Sequence, residues 1–154
     1  MTSLSSSSRA IGIALGMGLG LSAALLSPRA ARADNDSVRA ATPPELLDRK
    51  NPIDATPEDL ARAATLFAAN CALCHGANGD GHGPASRTLH PRPMDFTNAE
   101  EMAKIKDGQL FFAISSGSHG TAMPPFSQQF DESDRWRLVS YLRELANEKA
   151  EKKD

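Results

Sequence analysis

Apolar residues recur at helical spacing in the middle of the chain, directly after a strong helix-start signal. Residues 56–59 combine a threonine N-cap, a proline at the first helical position and two acidic residues in the first turn. The apolar positions that follow are Leu60, Ala63, Ala64, Phe67 and Ala68. This spacing predicts a helix over residues 57–70 with one face turned to a core.

Two later stretches carry the same kind of pattern. Residues 107–114 predict a short helix, with Asp107 as a possible cap and Gly117 at its end. Acidic residues at 131–134 open a third helix, which is expected to run to about Asn147 and to bury Trp136, Val139, Tyr141, Leu142 and Leu145. Strand-like runs are scarce, so the pattern favours a helical protein.

The segments between these helices have a different composition. Residues 34–55 contain Pro43-Pro44 and Asn51-Pro52 with little apolar periodicity, which predicts a flexible leader or a wrap-around arm. Residues 76–93 are rich in Gly, Pro, His and Asn and predict an irregular loop. Residues 148–154 predict a charged, frayed tail.

The N-terminus has the layout of an export signal. A polar start with Arg9 precedes the apolar run Ile11–Leu26 and the small-residue exit Ala31-Arg32-Ala33. This layout predicts a signal peptide over residues 1–33, cleaved after Ala33, and a periplasmic protein. The alternative is a membrane anchor, but the run is shorter than the roughly 20 apolar residues of a span.

Charge narrows the possible partners. Removal of Arg9, Arg29 and Arg32 with the signal leaves 14 basic and 19 acidic residues, a net charge of −5. Nucleic acid is therefore not expected as a partner. About 120 residues remain, enough for one domain with a modest core, to which a bound cofactor would add apolar mass.

Both cysteines of the chain lie in the run Cys71-Ala72-Leu73-Cys74-His75. A C-x-x-C-H run is the attachment signature of c-type haem, in which each thiol adds across a vinyl group and the histidine becomes an axial iron ligand. Two intervening residues let one turn of chain reach both vinyl groups and carry the histidine to the iron.

Other uses of a C-x-x-C pair fit less well. A zinc site needs further ligands, yet there is no second cysteine pair, and His82, His90 and His119 lack close H-x₃₋₅-H spacing. A thioredoxin-like pair would follow a strand, whereas the residues before Cys71 predict a helix. A simple disulfide remains open from spacing alone.

Residues 116–126 hold the candidate for the sixth iron ligand. Met123 lies in a Gly/Pro loop, where a helical core face does not explain it, and 48 residues beyond His75 it is far enough along the chain to approach from the opposite side. The rival ligands left open are Met94, Met102, His82, His90 and His119. On the other side, a backbone carbonyl near Pro84 is the expected acceptor for the free N–H of His75.

Taken together, residues 67–76, Gly83-Pro84, residues 121–126 and the helix over 136–145 resemble a class I cytochrome c of the small bacterial single-haem kind. The resemblance covers about residues 57–147. It implies an all-α cytochrome c fold, with three to five helices and long loops around one covalent haem, in a domain over residues 56–147.

The resemblance also implies a helix crossing and a role for Pro84. The first and last helices are expected to cross, with Phe67 meeting Trp136, Tyr141 and Leu142. Ala63 stands where the family usually has glycine at this crossing. The resemblance likewise implies that the carbonyl of Pro84 accepts the bond from His75.

These features together predict a periplasmic one-electron carrier and not an enzyme. One haem c is expected, attached through Cys71 and Cys74, with His75 and Met123 as axial ligands. Redox partner proteins are expected to dock transiently at the haem edge, helped by Lys104 and Lys106. The alternatives are a haem subunit of a larger membrane oxidoreductase such as a respiratory complex, a ligand-binding haem sensor, and a dithiol protein without haem.

Overall fold

The computed structural model describes residues 41–151, and within this range the regular structure is entirely helical. The helices are α1 (Pro44–Leu47), α2 (Pro57–Asn70), α3 (Ala72–His75), α4 (Ala99–Ala103), α5 (Asp107–Ser116) and α6 (Glu132–Glu151), with a 3-10 helix at Pro84–Thr88. Residues 41–151 contain no β-strand. The all-α prediction is confirmed: the three expected helices are present as α2, α5 and α6, and the shorter helices lie before and between them.

Helix α2 begins and ends where the sequence predicts. Its start is a capping box, in which the Asp59 N–H donates to Thr56 Oγ1 at 3.2 Å and the Thr56 N–H donates to Asp59 Oδ2 at 3.1 Å. At its end, the Cys71 N–H still donates to the Phe67 carbonyl at 2.8 Å. The helix therefore carries the chain directly into the cysteine motif.

The main packing contact joins α2 to α6. Ala63 and Phe67 are both buried on the α2 side, and the Phe67 ring lies 5.4 Å from the ring of Tyr141. Trp136 has a different partner from the one expected, because its ring stacks on Phe111 of α5 at 4.1 Å. Helix α6 thus packs against both α2 and α5.

Ion pairs tie together the first turns of α2 and α6. The guanidinium of Arg62 binds both oxygens of Asp134 at 2.6 Å, and Arg137 binds Asp59 at 2.6 Å and Asp134 at 3.1 Å. Asp134 is only 5% exposed, so its charge depends on these partners. Hydrogen bonds from Arg137 and Thr56 lower the pKa of Asp59 to about 2.

Helix α5 is capped differently from the expectation. Lys106 is the N-cap residue, and its N–H donates to Gln109 Oε1 at 2.9 Å. Asp107 lies one residue inside the helix because Arg143 of α6 binds its carboxylate at 2.8–2.9 Å. Gly117 ends the helix as predicted, with a φ of +75° that favours glycine.

Residues 44–55 lie against α5 and α6 as a wrap-around arm. The Asn51 side chain donates to the Trp136 carbonyl at 3.0 Å and to Ser140 Oγ at 2.8 Å. Arg49 lies over the Trp136 ring, 5.2 Å from its centre. These contacts attach residues 49–51 to α6.

The last helix is longer than expected. It continues to Glu151 instead of ending near Asn147, so the start of the predicted frayed tail is helical. Lys149 explains part of the extension, because its Nζ donates to Thr97 Oγ1 at 2.8 Å and attaches this end of α6 to the loop before α4.

Several predictions fall on residues 1–40 and 152–154, which lie outside the described part. They are the signal peptide over 1–33, its cleavage after Ala33, the first residues of the arm and the end of the tail. In residues 41–151, none of the helices combines the length and the apolar composition needed to cross a membrane.

Candidate functional site

The two cysteines and the histidine lie on one tight turn between α2 and the loop that follows. Cys71 precedes α3, and the N–H groups of Cys74 and His75 both donate to its carbonyl, at 3.1 and 2.9 Å. Both thiols are free and half-buried. Burial, with a smaller effect of Cys74, raises the pKa of the Cys71 thiol to about 11, so this thiol is protonated at neutral pH.

The Gly-rich loop packs directly on the back of this turn. A side chain at Gly83 would meet the carbonyl oxygens of Leu73 and Ala72 at 2.4 and 2.6 Å. The Gly83 N–H also donates to the Cys74 carbonyl at 3.2 Å. Only glycine allows this approach, and the contact fixes the backbone that presents the thiols.

His75 is oriented by the segment that ends at Phe96. Its Nδ1 lies 3.1 Å from the Met94 carbonyl oxygen, and its ring stacks on Phe96 with centroids 4.5 Å apart. Because a carbonyl accepts hydrogen bonds only, Nδ1 carries the proton and Nε2 keeps its lone pair. Burial lowers the pKa of His75, which keeps the ring neutral and ready to bind a metal.

The expected acceptor near Pro84 is therefore wrong, and Met94 supplies the carbonyl instead. The physical reason is the contact just described, in which Gly83 lies against the carbonyls of α3. The Phe96 N–H donates to the Gly79 carbonyl at 2.8 Å and holds the 94–96 segment beside the histidine. Sequence carried no signal for this role, since every residue has a carbonyl.

A deep cleft opens beside the turn, with about 1040 Å³ of empty space counted to its open mouth. Cys71, Cys74, His75 and Met123 all line it, and most of its other walls are apolar. His75 and Met123 also line a smaller inner space that reaches Phe67 and the core.

The loop that carries Met123 is held by backbone and hydroxyl hydrogen bonds. Thr121 Oγ1 accepts from the Met123 N–H at 3.1 Å and donates to the Ser118 carbonyl at 2.8 Å. The Ser118 N–H donates in turn to the Met123 carbonyl at 3.2 Å. Beyond the loop, the Phe126 N–H donates to the carbonyl of Ile114 at 3.0 Å and fastens it to α5.

The structure separates Met123 from most of its rivals. His82, His90 and His119 are exposed and do not line the cleft. Met102 is fully buried in the core. Met94 does line the cleft, but its own carbonyl is bonded to the His75 ring, which places its backbone on the histidine side.

A sequence model of the family described as Cytochrome c matches residues 60–146. The chain belongs to the cytochrome c family. No curated protein matches it at the level of sequence. Among solved structures, a chain of the Kuenenia stuttgartiensis reducing HAO-like protein complex Kustc0457/Kustc0458 is similar, with a TM-score of 0.54 and 25% sequence identity. That match covers 61% of this chain and 46% of the Kuenenia chain, so this cytochrome spans less than half of it.

Membership of this family implies covalent haem c and electron transfer, not catalysis. The residues of the cleft fit such a group. Two free thiols stand at the spacing that haem vinyl groups require, a neutral imidazole with a free Nε2 lies beside them, and the walls are mainly apolar. In residues 41–151 there is no cluster of three or more His, Cys, Asp or Glu side chains suited to a bare metal ion.

Sequence reasoning missed three residues of this cytochrome's site. Phe96 stacks on the histidine, and Arg92 and Gln109 are polar residues that line the cleft. The sequence pattern around each of them does not mark it as a site residue. Phe96 lies in an irregular segment, Arg92 stands between two prolines, and Gln109 lies on a helix whose other buried residues are mostly apolar.

Proposed function

We propose that this protein is a periplasmic one-electron carrier in which one haem c is attached through Cys71 and Cys74 and ligated by His75 and Met123. The observation that carries the proposal is that these four side chains line a single cleft. The export pattern of residues 1–33 supports the location, because it directs the chain out of the cytoplasm.

His75 is the fixed ligand of this proposal. Its Nδ1–H donates to the Met94 carbonyl, which selects the tautomer with a free Nε2 and sets the plane of the ring. Phe96 supports one face of that ring by stacking. The histidine thus needs no rearrangement to bind iron.

Met123 is the sixth ligand of this proposal. Its loop is held by Thr121 and Ser118, and its side chain lines the cleft. Met94 is disfavoured because a residue bonded to the His75 ring stands on the same side of a haem as that ring. A thioether opposite an imidazole favours the reduced iron and raises the reduction potential.

When bound, the haem iron supplies a one-electron Fe(III)/Fe(II) couple. The protein contributes the covalent tethers, the two axial side chains and walls that keep water away. With both axial positions filled by protein, no position remains for a substrate, which supports a carrier and not a catalyst.

The surface around the cleft mouth supports partner docking by apolar contact. Leu73, between the two cysteines, is 64% exposed, and Ala122, Pro124 and Pro125 are also exposed. Residues 70–79 and 115–130 contain no Asp, Glu, Lys or Arg. The two segments are joined, since Gln129 donates to the Asn70 side chain at 2.7 Å. A transient redox partner with an uncharged surface fits these two segments of the rim.

The two lysines considered for steering a partner already form ion pairs within the protein. Lys104 pairs with Glu100 at 3.1 Å and with Glu101 at 2.8 Å, and Lys106 pairs with Asp48. Since each lysine has an acidic neighbour, the long-range field of either is largely cancelled. Neither therefore supports a role in docking.

Visible spectroscopy of protein matured with covalent haem tests the axial pair. Parent protein should have a sharp c-type α-band when reduced and the far-red methionine-to-iron band when oxidised. Met123→His should keep the α-band, lose the far-red band and lower the potential. Met94→Leu is the matched control and should keep both bands. Survival of the far-red band in Met123→His would exclude Met123 as the ligand.

A second function, an electron-relaying subunit of a larger oxidoreductase, is favoured by the similarity to a chain of a multi-protein HAO-like complex. Purification under native conditions distinguishes the two, because a subunit would co-elute with a stable partner and a carrier would elute alone. Carbon monoxide tests the sensor alternative on the same sample. An immediate change of the reduced spectrum would indicate an open or labile sixth position.

A further inference from the structure

A side-chain amide that lines the cleft has no hydrogen bond to its nitrogen. Gln109 is only 3% exposed and lines the cleft. Its Oε1 accepts from the Lys106 N–H, but among residues 41–149 no hydrogen bond engages its Nε2. Nε2 is not among the fully enclosed polar atoms that lack a partner, so its two N–H groups are reachable from the cleft and available to a ligand there.

A cation stands at the same cleft. Arg92 lines it, is exposed and makes no ion pair with any residue in the described range. It is also the only Lys, Arg, Asp or Glu residue among those that line the cleft. The flanking Pro91 and Pro93 restrict its backbone, which fixes the point on the rim from which the side chain extends.

Gln109 lies in the first turn of α5, and the other half of that helix connects to the segment beside the cysteines. Ile114, two residues before the end of α5, bonds to Phe126, and Gln129 of the following loop bonds to Asn70 beside Cys71. Gln109 lies five residues before Ile114, or about 7.5 Å along the helix axis. In haem, the two carboxylates lie on the edge opposite the vinyl groups, and therefore opposite the thiol attachment points.

We propose that Gln109 and Arg92 bind the carboxylate groups of the haem, Gln109 at the buried end of the cleft and Arg92 at its rim. This inference rests on the proposed haem function. A carboxylate entering an apolar cleft needs hydrogen-bond donors and positive charge, and these two side chains supply them. The positive charge of Arg92 also favours the reduced iron.

Gln109→Glu separates this role from capping. Glutamate keeps an oxygen to accept the Lys106 N–H, so α5 retains its cap. It loses the amide donor and places an ionisable group against a carboxylate, which makes the potential depend on pH. The expected result is a midpoint potential that falls, relative to the parent, as pH rises.

Arg92→Gln removes the rim cation, and Arg87→Gln is its matched control, because Arg87 is exposed on the 3-10 helix and does not line the cleft. Covalent attachment keeps the haem in all variants. The midpoint potential of Arg92→Gln should lie below that of the parent, and the difference should be smaller at high salt. The midpoint potential of Arg87→Gln should equal that of the parent.

The measurements are covalent haem content and midpoint potential across pH for the parent and the three variants. A residue whose variant behaves like Arg87→Gln at every pH does not contact a carboxylate, and the same result for both would overturn the proposal. If Gln109→Glu does not fold, Arg92→Gln carries the test alone. A parent protein without covalent haem would instead refute the proposed function itself.

Discussion

The two sides of the cleft are built in different ways. On the His75 side, backbone packs directly on backbone at Gly83, the Met94 carbonyl fixes the imidazole, and Phe96 supports the ring. On the Met123 side, a loop with exposed prolines packs its backbone on Gly117 and is held by the Thr121 hydroxyl and by backbone hydrogen bonds at Ser118 and Phe126. The His75 ring has a buried aromatic neighbour and a fixed hydrogen-bond acceptor, whereas Met123 stands in a more exposed loop, so we expect the methionine side to open more easily. We expect exchange of ligands, where it occurs, on the methionine side.

The largest effect is expected from removing the aromatic ring that supports His75. Phe96 is 7% exposed and contacts both His75 and Phe67. Phe96→Ala should lower the free energy of unfolding by about 3–5 kcal/mol, the usual cost of a buried Phe-to-Ala change. Chemical denaturation measures it.

The control for this change lies on the other side of the cleft. Phe126 is only partly buried beside Met123, so Phe126→Ala should cost less than Phe96→Ala. An equal loss in the two variants would show that the two sides are equally important to stability.

Two glycines give the next test. Gly83→Ala would drive a methyl group to 2.4 Å from the Leu73 carbonyl oxygen, and we expect a loss of about 3 kcal/mol with poorer haem attachment. Gly120→Ala meets no atom within 4 Å but has a φ of +79°, so it should cost only about 1–2 kcal/mol.

Thermal unfolding and haem content report both changes. If Gly120→Ala were the more damaging of the two, the methionine loop would be the more constrained side, contrary to the contrast drawn above.

The same contrast explains what sequence could predict. Features that depend only on residues close in sequence can be predicted from a sequence pattern. They are the Cys71-to-His75 run, the bounds of α2 and the end of α5 at Gly117. Met123 could be suggested from its loop, and the cleft supports that choice. The Met94 carbonyl could not be predicted, because a backbone acceptor has no residue signature and its place depends on tertiary packing.

Misjudged ends of helices have a similar cause. Asp107 has the chemistry of a cap, but Arg143, 36 residues later, takes its carboxylate and the helix starts around it. Helix α6 continues past Asn147, where Lys149 reaches Thr97. Both depend on partners distant in sequence, so a local pattern cannot reveal them.

Thr121→Val tests how firmly the Met123 loop is held and leaves the His75 side unchanged. The change keeps the shape of the side chain but removes the acceptor of the Met123 N–H and the donor to Ser118. We expect stability to fall by only about 1 kcal/mol, while added imidazole or carbon monoxide displaces the methionine more readily.

Ligand titration of the oxidised and reduced spectra measures that displacement. Ser127→Ala, an exposed change after the loop, is the matched control. Unchanged ligand affinity in Thr121→Val would mean that the hydroxyl does not hold the loop.

The smallest effect on stability is expected from acid, and only the His75 side of the cleft should respond to it. Residues 115–130 contain no Asp or Glu. Helix α2, which leads into the His75 turn, has Asp59 in its first turn, and Arg137 and Thr56 lower the pKa of Asp59 to about 2. A lowered folded pKa adds stability above the unfolded value of 3.8 and loses it as pH falls toward 2.

Asp59→Asn should therefore be less stable than the parent at neutral pH, and the difference should shrink below about pH 4. Asp54→Asn is the control, since Asp54 makes no hydrogen bond or ion pair with a described residue, and it should follow the parent throughout. Helical circular dichroism and the far-red methionine band, recorded together during an acid titration, distinguish the sides. If Asp59→Asn shifted the methionine band before the helical signal, acid would act on the methionine loop and the two sides would be coupled more tightly than their contacts indicate.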